Sequence, residues 1–397
     1  MAPATRILKC DVQAVVFPQG TDQPTVSSQD THDALRTAAD HLLSGNTVVF
    51  PTETVYGLGA LALDDKAAAK IFETKGRPPD NPLIVHVSSM SMLQPLLPSD
   101  YTFSPAYQVL MKRFWPGALT FLFPRNADVV PTIITAGQPT VAVRMPSHPI
   151  ARALIAVAQA PLAAPSANIS GKPSPTRAEH VHRDLDGKVA YILDGGPCGV
   201  GLESTVIDGL HPDGDIRVLR PGGVTVEDIE QALRQDMSDK TTIPRVLVHK
   251  RDYADETIEA VPTTPGMKYR HYSPAVPVTL LLTQSQSKTI PFQDYIRNLL
   301  QNPTPSSAVK IGVLAPTDSR IWDQLSSIVQ QVEWHRHDLG PSDTPPVIAH
   351  RLFDGLLSLE QRGVDMMLIE EVLEEREGLA VMNRVRKAAG DTVAVHF

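Results

Sequence analysis

Cationic side chains stand beside rigid turns or strand ends at several separate places in the first part of the chain. Lys75 and Arg77 come just before a pair of prolines, Arg144 closes an apolar run, and Arg220 precedes Pro221. A guanidinium held on a stiff turn suits bidentate contact with carboxylate or phosphate oxygens. Together these cations predict one site for a polyanion. Lys75 alone would also serve as the cationic last residue of a helix.

Polar segments rich in hydroxyl groups and glycine follow several apolar runs. Segments 51–59, 165–174 and 195–206 are of this kind. Their side chains can hydrogen-bond phosphate, ribose or a base, and the glycines of 195–206 let the backbone approach a ligand closely. An ordinary turn is the alternative explanation of segments 51–59 and 165–174. The polar side chains of these segments include those of Thr52, Glu53, Thr54, Ser166, Asn168, Ser174 and Ser204.

Two strand candidates and one loop carry further polar side chains. Thr140 and Arg144 are four residues apart, so both should point to the same face of a strand. Asn81 lies in the proline-rich loop before the apolar run 83–87, and His86 lies inside that run. A single histidine in an apolar strand is more often a hydrogen-bonded core residue than a ligand.

Several well-known chemistries have no motif in this sequence. It contains no P-loop, Ser-His-Asp elbow, HExxH helix or Cys/His zinc pattern, and its only cysteines are Cys10 and Cys198. Gly57 and Gly59 fit a dinucleotide-binding fingerprint only loosely, because Asp80 is the sole candidate for its acidic partner. We therefore expect a reaction without an enzyme-bound covalent intermediate. The net charge of -8 argues against a protein whose main task is gripping nucleic acid.

Helical patterns alternate with short apolar runs, which predicts an α/β fold. Strands are predicted at 47–50, 83–87, 119–123, 140–143, 162–164, 189–193 and 205–208, with helices at 64–75 and 149–159. Scattered charges and prolines predict a linker at 236–274. Beyond it, strands are predicted at 276–282, 309–314, 332–337 and 366–370, with helices near 293–300, 318–331, 346–362 and 379–389. We expect a twisted mixed sheet in 1–235 and a smaller doubly wound, Rossmann-like domain in 275–397.

The sequence also predicts where the protein resides. No stretch approaches the roughly 18 consecutive apolar residues that span a bilayer. The first 20 residues contain Asp11 and lack a secretory apolar core. We expect a cytoplasmic protein, and Arg6 and Lys9 leave a mitochondrial pool open.

The chain resembles the YrdC-like family of threonylcarbamoyl-AMP synthases in its long, two-domain form. The motifs that carry the resemblance, in family order, are PTETVYGL, KGRPxDNPLIVH, AVRxP, SANxSG, ESTV and RPG, followed by TPGMKYRHYSP and GLAVMNR. The resemblance covers most of the chain but not residues 1–30. It implies that the mixed sheet of 1–235 is a YrdC-like catalytic domain and that the linker folds over the active site.

The resemblance implies the synthesis of L-threonylcarbamoyladenylate. The amine of L-threonine would take up bicarbonate or CO2, and the carbamate would attack the α-phosphorus of ATP and release pyrophosphate. Mg2+ is expected with ATP, and its protein contacts stay open. A separate transferase would use the product to modify a tRNA adenosine, and we expect no direct tRNA binding by this chain.

The resemblance also implies residue roles. Threonine would be held by Thr54, His86, Arg144 and Ser204. ATP would be held by Arg77, Asn81, Thr140, Ser166, Asn168, Ser174, Arg220 and Tyr272. Lys75 and Arg77 would be catalytic, with Thr52 and Glu53 nearby.

Two other functions remain as alternatives. A carbamoyl-adenylate-forming maturation enzyme would share the YrdC-like domain, but the acylphosphatase-like and zinc-finger segments of such chains are not found in this sequence. A factor that binds double-stranded RNA or tRNA is the second alternative. The acidic balance of the chain and the lack of interleaved aromatic residues disfavour it.

Overall fold

The fold is that of a computed structural model, which describes residues 4–237, 242–253, 271–284, 288–300, 308–328 and 332–397. The chain divides into two compact units: residues 1–170 with 174–269, and residues 171–173 with 270–397. Much of the predicted linker lies outside the described residues, so its bounds and its place over the active site stay predictions. No helix in the described ranges is long and apolar enough to cross a membrane.

Eleven strands of the first unit, among the described residues, form one mixed sheet. They are β1 (Arg6–Lys9), β4 (Val48–Phe50), β5 (Gly57–Leu61), β6 (Ile84–His86), β7 (Leu119–Pro124), β8 (Thr140–Arg144), β9 (Leu162–Ala163), β10 (Tyr191–Asp194), β11 (Thr205–Asp208), β12 (Ile216–Arg220) and β13 (Val246–Val248). A separate pair consists of β2 (Val15–Val16) and β3 (Thr25–Val26).

The order of the strands confirms the expected mixed sheet. It is β1-β10-β4-β5-β9-β6-β8-β7-β11-β12-β13. Strand β8 runs parallel to β6 and antiparallel to β7, and β11 is parallel to β7 and antiparallel to β12. Strand β13 adds an edge strand parallel to β12 from within the predicted linker.

Helices surround this sheet. They are α1 (Gln29–Leu43), α2 (Asp65–Lys75), α3 (Met90–Leu93), α4 (Pro105–Phe114), α5 (Thr132–Thr135), α6 (Pro149–Ala158), α7 (Ala178–Leu185) and α8 (Val226–Asp236). Helix α1 begins after Ser28, whose hydroxyl accepts a hydrogen bond from the Thr31 amide. Its apolar side, including Leu35 and Leu42, packs with Leu154 of α6 in one buried cluster. Burial of this face stabilises the sheet that carries the site.

The second unit is a doubly wound sheet in which all strand pairs run parallel. Its strands are β14 (Val278–Leu282), β15 (Ile290–Pro291), β16 (Val309–Ala315), β17 (Val332–Asp338), β18 (Met366–Glu370) and β19 (Asp391–His396). Their order is β15-β19-β14-β18-β16-β17. Its helices are α9 (Phe292–Leu299), α10 (Ile321–Ser327), α11 (Pro345–Gln361) and α12 (Glu377–Ala388). The expected Rossmann-like architecture is confirmed.

The glycines that fit a dinucleotide fingerprint serve packing instead. Residues Gly57–Leu61 form β5, which pairs antiparallel with β4 and places Gly59 against the ring of Phe50. A Cβ atom at Gly59 would lie 2.5 Å from the Phe50 Cε1 atom. Glycine is therefore required at this position by the neighbouring aromatic ring.

Candidate active site

The register of the central strands places several of the candidate residues on one face of the sheet. Arg144 pairs with His86 on β6 and with Thr120 on β7. Val206 pairs in turn with Thr120 and with Arg220. Because directly paired residues point to the same face, this face carries both guanidinium groups and the imidazole. We call it the binding face.

The floor of the binding face is apolar. Ile84, Leu122, Ala142 and Val206 are buried and pack together. Thr140 lies on the same side of β8 as Arg144, as the spacing of the two residues predicted. The face thus combines an apolar surface with a few fixed polar groups, which is typical of a ligand-binding site.

The guanidinium of Arg144 is buried and held on three sides. Its Nη2 atom lies 2.5 Å from Glu53 Oε1, close enough for an ion pair although the angle is poor for a hydrogen bond. Its Nη1 atom donates to Thr54 Oγ1 at 2.8 Å, and its Nε atom donates to the Gly117 carbonyl at 3.1 Å. The connection between β4 and β5 therefore supplies both side-chain partners of Arg144.

The hydroxyl groups of Thr52 and Thr54 form a directed chain. Thr52 donates its single hydroxyl proton to the Val55 carbonyl at 2.7 Å. The 2.7 Å contact between the two hydroxyls must then use the proton of Thr54. Thr54 Oγ1 is therefore the acceptor in its contact with Arg144 Nη1. The hydrogen bonds run in one direction, from Arg144 through Thr54 and Thr52 to the Val55 carbonyl.

A guanidinium has five N–H donors, and two of those of Arg144 are hydrogen-bonded among the described residues, while its Nη2 atom faces Glu53 in the ion pair. The other N–H groups lie on Nη1 and Nη2, the pair of atoms that can grip a carboxylate in a bidentate contact. The far oxygen of Glu53 accepts from the Ser147 amide at 3.1 Å and the His148 amide at 3.4 Å. Arg144 is thus prearranged for a second carboxylate while Glu53 balances its charge.

We expect Glu53→Gln to raise the KM for L-threonine, the substrate that the resemblance implies, by roughly tenfold, equivalent to about 1.4 kcal/mol, because the neutral amide holds the Arg144 guanidinium less firmly. The KM for ATP should change much less. Steady-state kinetics with each substrate varied in turn separates the two effects, and exposed Glu73→Gln is the matched control. An unchanged or lower KM for threonine in Glu53→Gln would contradict this role.

Lys75 is engaged by the loop that carries Ser166 and Asn168. The Lys75 amine donates to the carbonyl oxygens of both residues, at 2.6 Å for Asn168. Ser166 Oγ also donates to Asn168 Oδ1 at 2.5 Å. Burial, with the charge of Arg77 second, lowers the pKa of Lys75 well below its ordinary value. In this structure Lys75 orders a binding loop through backbone carbonyls, so its predicted catalytic role stays a prediction.

We expect Lys75→Met to lower kcat/KM by roughly a hundredfold, because two buried carbonyls lose their donor and the loop loses its fixed shape. Lys75→Arg should recover part of the loss, since it restores a donor. Measured rates for the two variants, with Lys66→Met on the exposed start of α2 as the control, check this. Full activity in Lys75→Met would show that the loop needs no such anchor.

A second group of contacts surrounds Ser204. Its hydroxyl lies 2.8 Å from that of Thr120, and its carbonyl accepts from Arg220 Nη2 at 2.9 Å. The next residue back, Glu203, accepts from Ser174 Oγ at 2.5 Å. Gly222 lies so close to this backbone that a Cβ atom would be 2.3 Å from the Glu203 carbonyl oxygen. Gly222 thus allows the turn that follows β12 to pack directly against the backbone of residues 203–205.

Arg77 and Asn81 lie in the loop between α2 and β6. Gly76 ends the helix with a φ of 61°, and Arg77 follows it and is 9% exposed. Asn81 is buried, and within the described residues its Oδ1 atom has no hydrogen-bond donor. A buried amide oxygen without a donor is costly unless a ligand supplies one.

His86 is buried and neutral. Its Nδ1 atom lies 3.2 Å from the Ile84 carbonyl, which can only accept, so Nδ1 carries the proton. Burial, with Arg144 second, lowers the pKa of His86 to about 3. Burial also lowers the pKa of His148 to about 4, and its Nδ1 atom accepts from the Ile150 amide.

Both histidines should make the protein less stable in acid. At pH values between the ordinary histidine pKa of about 6.5 and the lowered pKa of each buried histidine, the imidazole is protonated in the unfolded chain but neutral in the folded protein. The free energy of unfolding should fall as pH falls, by up to about 1.4 kcal/mol per pH unit for each group. Urea titrations between pH 7 and 4.5 should show a smaller slope for His86→Gln than for exposed His32→Gln. Equal slopes would contradict a neutral buried His86.

Tyr272, predicted to contact ATP, belongs to the second unit. Its ring is 5.3 Å from that of Phe353, and the guanidinium carbon of Arg384 lies 5.8 Å from the ring centre. The structure therefore shows Tyr272 as part of the packing of that unit. The preceding residues 254–270 of the predicted linker lie outside the described residues.

Comparison with known proteins assigns the family. A family model described as "Telomere recombination" (Sua5, YciO, YrdC) matches residues 40–222, and one described as "Threonylcarbamoyl-AMP synthase, C-terminal domain" matches 224–390. A threonylcarbamoyl-AMP synthase of Schizosaccharomyces pombe is 43% identical to this chain, and the alignment covers 92% of this chain and 90% of that protein. The chain belongs to the threonylcarbamoyl-AMP synthase family.

Other members of the threonylcarbamoyl-AMP synthase family are similar to this chain in sequence and structure over nearly its whole length. The Pyrococcus abyssi synthase is 42% identical, with 90% of this chain and 94% of that protein covered. A crystal structure of P. abyssi Sua5 complexed with L-threonine superposes with a TM-score of 0.75 at 38% identity, covering 99% of this chain and 100% of that one. The match extends over both units.

Some residues of the site in this family member were missed by the sequence interpretation. Thr120 contacts Ser204, and the Gly117 carbonyl accepts from Arg144. Strand β7 is buried along its length from Leu119 to Phe123, so the one local signal for Thr120 was a hydroxyl in an otherwise apolar strand. Nothing local marks Gly117, because its contact is made by a backbone atom.

Proposed function

We propose that this chain synthesises L-threonylcarbamoyladenylate from L-threonine, bicarbonate or CO2, and ATP, with release of pyrophosphate. The observation that carries this proposal is the prearranged guanidinium of Arg144 on the same face as Thr140 and Arg220 in a member of this family. The name of the relatives and the threonine bound to P. abyssi Sua5 support the same reaction.

In the proposed reaction the protein brings two anions together. Arg144 would take the carboxylate of threonine with the N–H groups of Nη1 and Nη2 that are not hydrogen-bonded among the described residues, and Ser204 would meet the threonine hydroxyl. Arg77 and Arg220 would lie against the triphosphate, where they offset its repulsion of the carbamate and stabilise the departing pyrophosphate. Catalysis would then come from positioning and fixed charge, and no residue would form a covalent bond to substrate.

Mg2+ would enter with ATP. Among the described residues no group of three or more His, Cys, Asp or Glu side chains could hold a metal ion. Glu53, the carboxylate beside Arg144, is already bonded to two backbone amides. Because Mg2+ that enters with a nucleotide is held mainly by phosphate oxygens and water, with one or two carboxylates, its protein contacts stay open and we assign no step to it.

The proposed product is an activated acyl group, so a separate transferase would consume it to modify a tRNA adenosine. We place the reaction in the cytoplasm, with a mitochondrial pool as the second possibility. Neither statement requires this chain to bind tRNA itself.

The test is to incubate the full chain with ATP, isotopically labelled bicarbonate and one amino acid at a time, and to identify the adenylate by mass spectrometry. L-Threonine should yield a labelled threonylcarbamoyl adenylate and pyrophosphate. L-Valine, which has the same shape without the hydroxyl, should be rejected strongly if the hydroxyl is read by a hydrogen bond. An adenylate formed without an amino acid, or no adenylate at all, would contradict the proposal.

A further inference from the structure

A cleft in the second unit lies at the carboxyl ends of its parallel strands. It has a volume of about 610 Å³, within the usual range for small-molecule sites. Its lining residues include Thr283 after β14, Ser319 after β16, Ser342 after β17 and Glu370 at the end of β18. Among the described residues, the cleft is thus lined at or just beyond the ends of five parallel strands: β14, β16, β17, β18 and β19.

The topology makes this edge a natural place for a ligand. From β16 the chain continues outward to β17, whereas from the adjacent β18 it continues the other way, past β14, to β19. Ligands of open α/β sheets bind where the connections of neighbouring strands diverge in this way. The side chain of Ser319 donates to Glu370 across that crevice.

Glu370 is the buried polar centre of the cleft. Only 8% of its surface is exposed, and its other oxygen accepts from Thr283 Oγ1 at 3.3 Å. A carboxylate has about four lone-pair positions, of which these hydroxyls use two. Burial, with the charges of Glu371 and Asp318 adding to it, raises the pKa of Glu370. Within the described residues, about two lone-pair positions of the Glu370 carboxylate thus have no hydrogen-bond donor.

The remaining hydroxyl and carboxylate groups of the lining are also acceptors for a ligand. Ser342 Oγ donates its proton to Asp318 at 2.5 Å. The hydroxyls of Thr283 and Ser319 likewise donate theirs to Glu370, so these three hydroxyls can only accept from a ligand. Among the described residues, the Glu371 side chain accepts from the Gln284 amide alone, at 2.6 Å. Arg320 and His396, the basic residues of the lining, are exposed at its rim. A ligand must therefore bring donors, and a phosphate would meet three carboxylates.

We propose that this cleft binds a small organic ammonium compound, with its ammonium group on Glu370 and its aliphatic part along Val372 and Leu373. Val372 and Leu373 line the same cleft, and Leu373 is 56% exposed, an apolar surface that an alkyl chain would cover. The hydrogen bonds that already join the strand ends hold the acceptors in place before the ligand arrives, which lowers the entropy cost of binding.

Titration calorimetry of the full chain with 1,4-diaminobutane tests the site. We expect binding to one site that Glu370→Gln weakens at least tenfold. Glu375→Gln, which removes the same charge from an exposed position outside the cleft, should bind like the wild type. Equal affinity in both variants, or equally tight binding of 1,4-butanediol or inorganic phosphate, would overturn the proposal.

A second measurement needs no variant. In the wild-type protein, 1,4-diaminobutane should shift the methyl NMR signals of Val372 and Leu373, and 1,4-butanediol at the same concentration should not. Unshifted methyl signals at millimolar diamine would overturn the proposal even if Glu370→Gln failed to fold.

Discussion

Arg144→Met is expected to lower kcat/KM for L-threonine by about a thousandfold or more and to destabilise the fold. The methionine fills a similar volume but removes the bidentate partner of the substrate carboxylate. It also leaves the buried Oε1 atom of Glu53 beside an apolar side chain, and breaking a buried ion pair in this way costs up to about 3–5 kcal/mol. Arg234→Met, on the exposed side of α8, is the matched control and should change neither quantity.

The double variant Glu53→Leu/Arg144→Met separates the two effects. Replacing both charges with apolar side chains should recover much of the lost stability, as is typical of buried ion pairs, while threonine turnover stays lost. Urea unfolding and pyrophosphate release measure the two outcomes. If the double variant regained turnover together with stability, Arg144 would have a structural role only.

Arg77→Ala is expected to reduce adenylate formation by roughly a thousandfold or more, because a fixed charge on the triphosphate is lost where the departing pyrophosphate needs it. Arg77 lies in a loop between α2 and β6, outside the main apolar clusters, so the fold should remain intact. Circular dichroism and the thermal midpoint check the fold, and pyrophosphate release checks the rate.

Arg77→Lys gives the informative comparison. It keeps the charge and loses the planar fork, so an intermediate rate is expected if phosphate geometry matters. Near-normal turnover in Arg77→Ala would remove Arg77 from the phosphate-binding role.

The sequence predicted the residues of the binding face better than their partners. Thr140 and Arg144 share a face because side chains alternate along a strand, a rule that needs no tertiary information. The doubly wound second unit followed equally from alternating helices and apolar strands. Both are local or periodic signals.

Long-range contacts could not be predicted in this way. Glu53 meets Arg144 only because the β4–β5 connection reaches β8, and Lys75 meets two carbonyls that only the folded loop presents. The role of Gly59 depended on recognising β5, since its neighbour Phe50 lies on the paired strand. Such contacts arise from topology, which a single sequence encodes only through the whole fold.

A crystal structure of the full chain with L-threonine and a non-hydrolysable ATP analogue tests the binding face most directly. The threonine carboxylate should lie within hydrogen-bond distance of both Nη atoms of Arg144, with the triphosphate against Arg77 and Arg220. Threonine bound away from Arg144, or a nucleotide that contacts neither Arg77 nor Arg220, would contradict the assignment of this face as the active site.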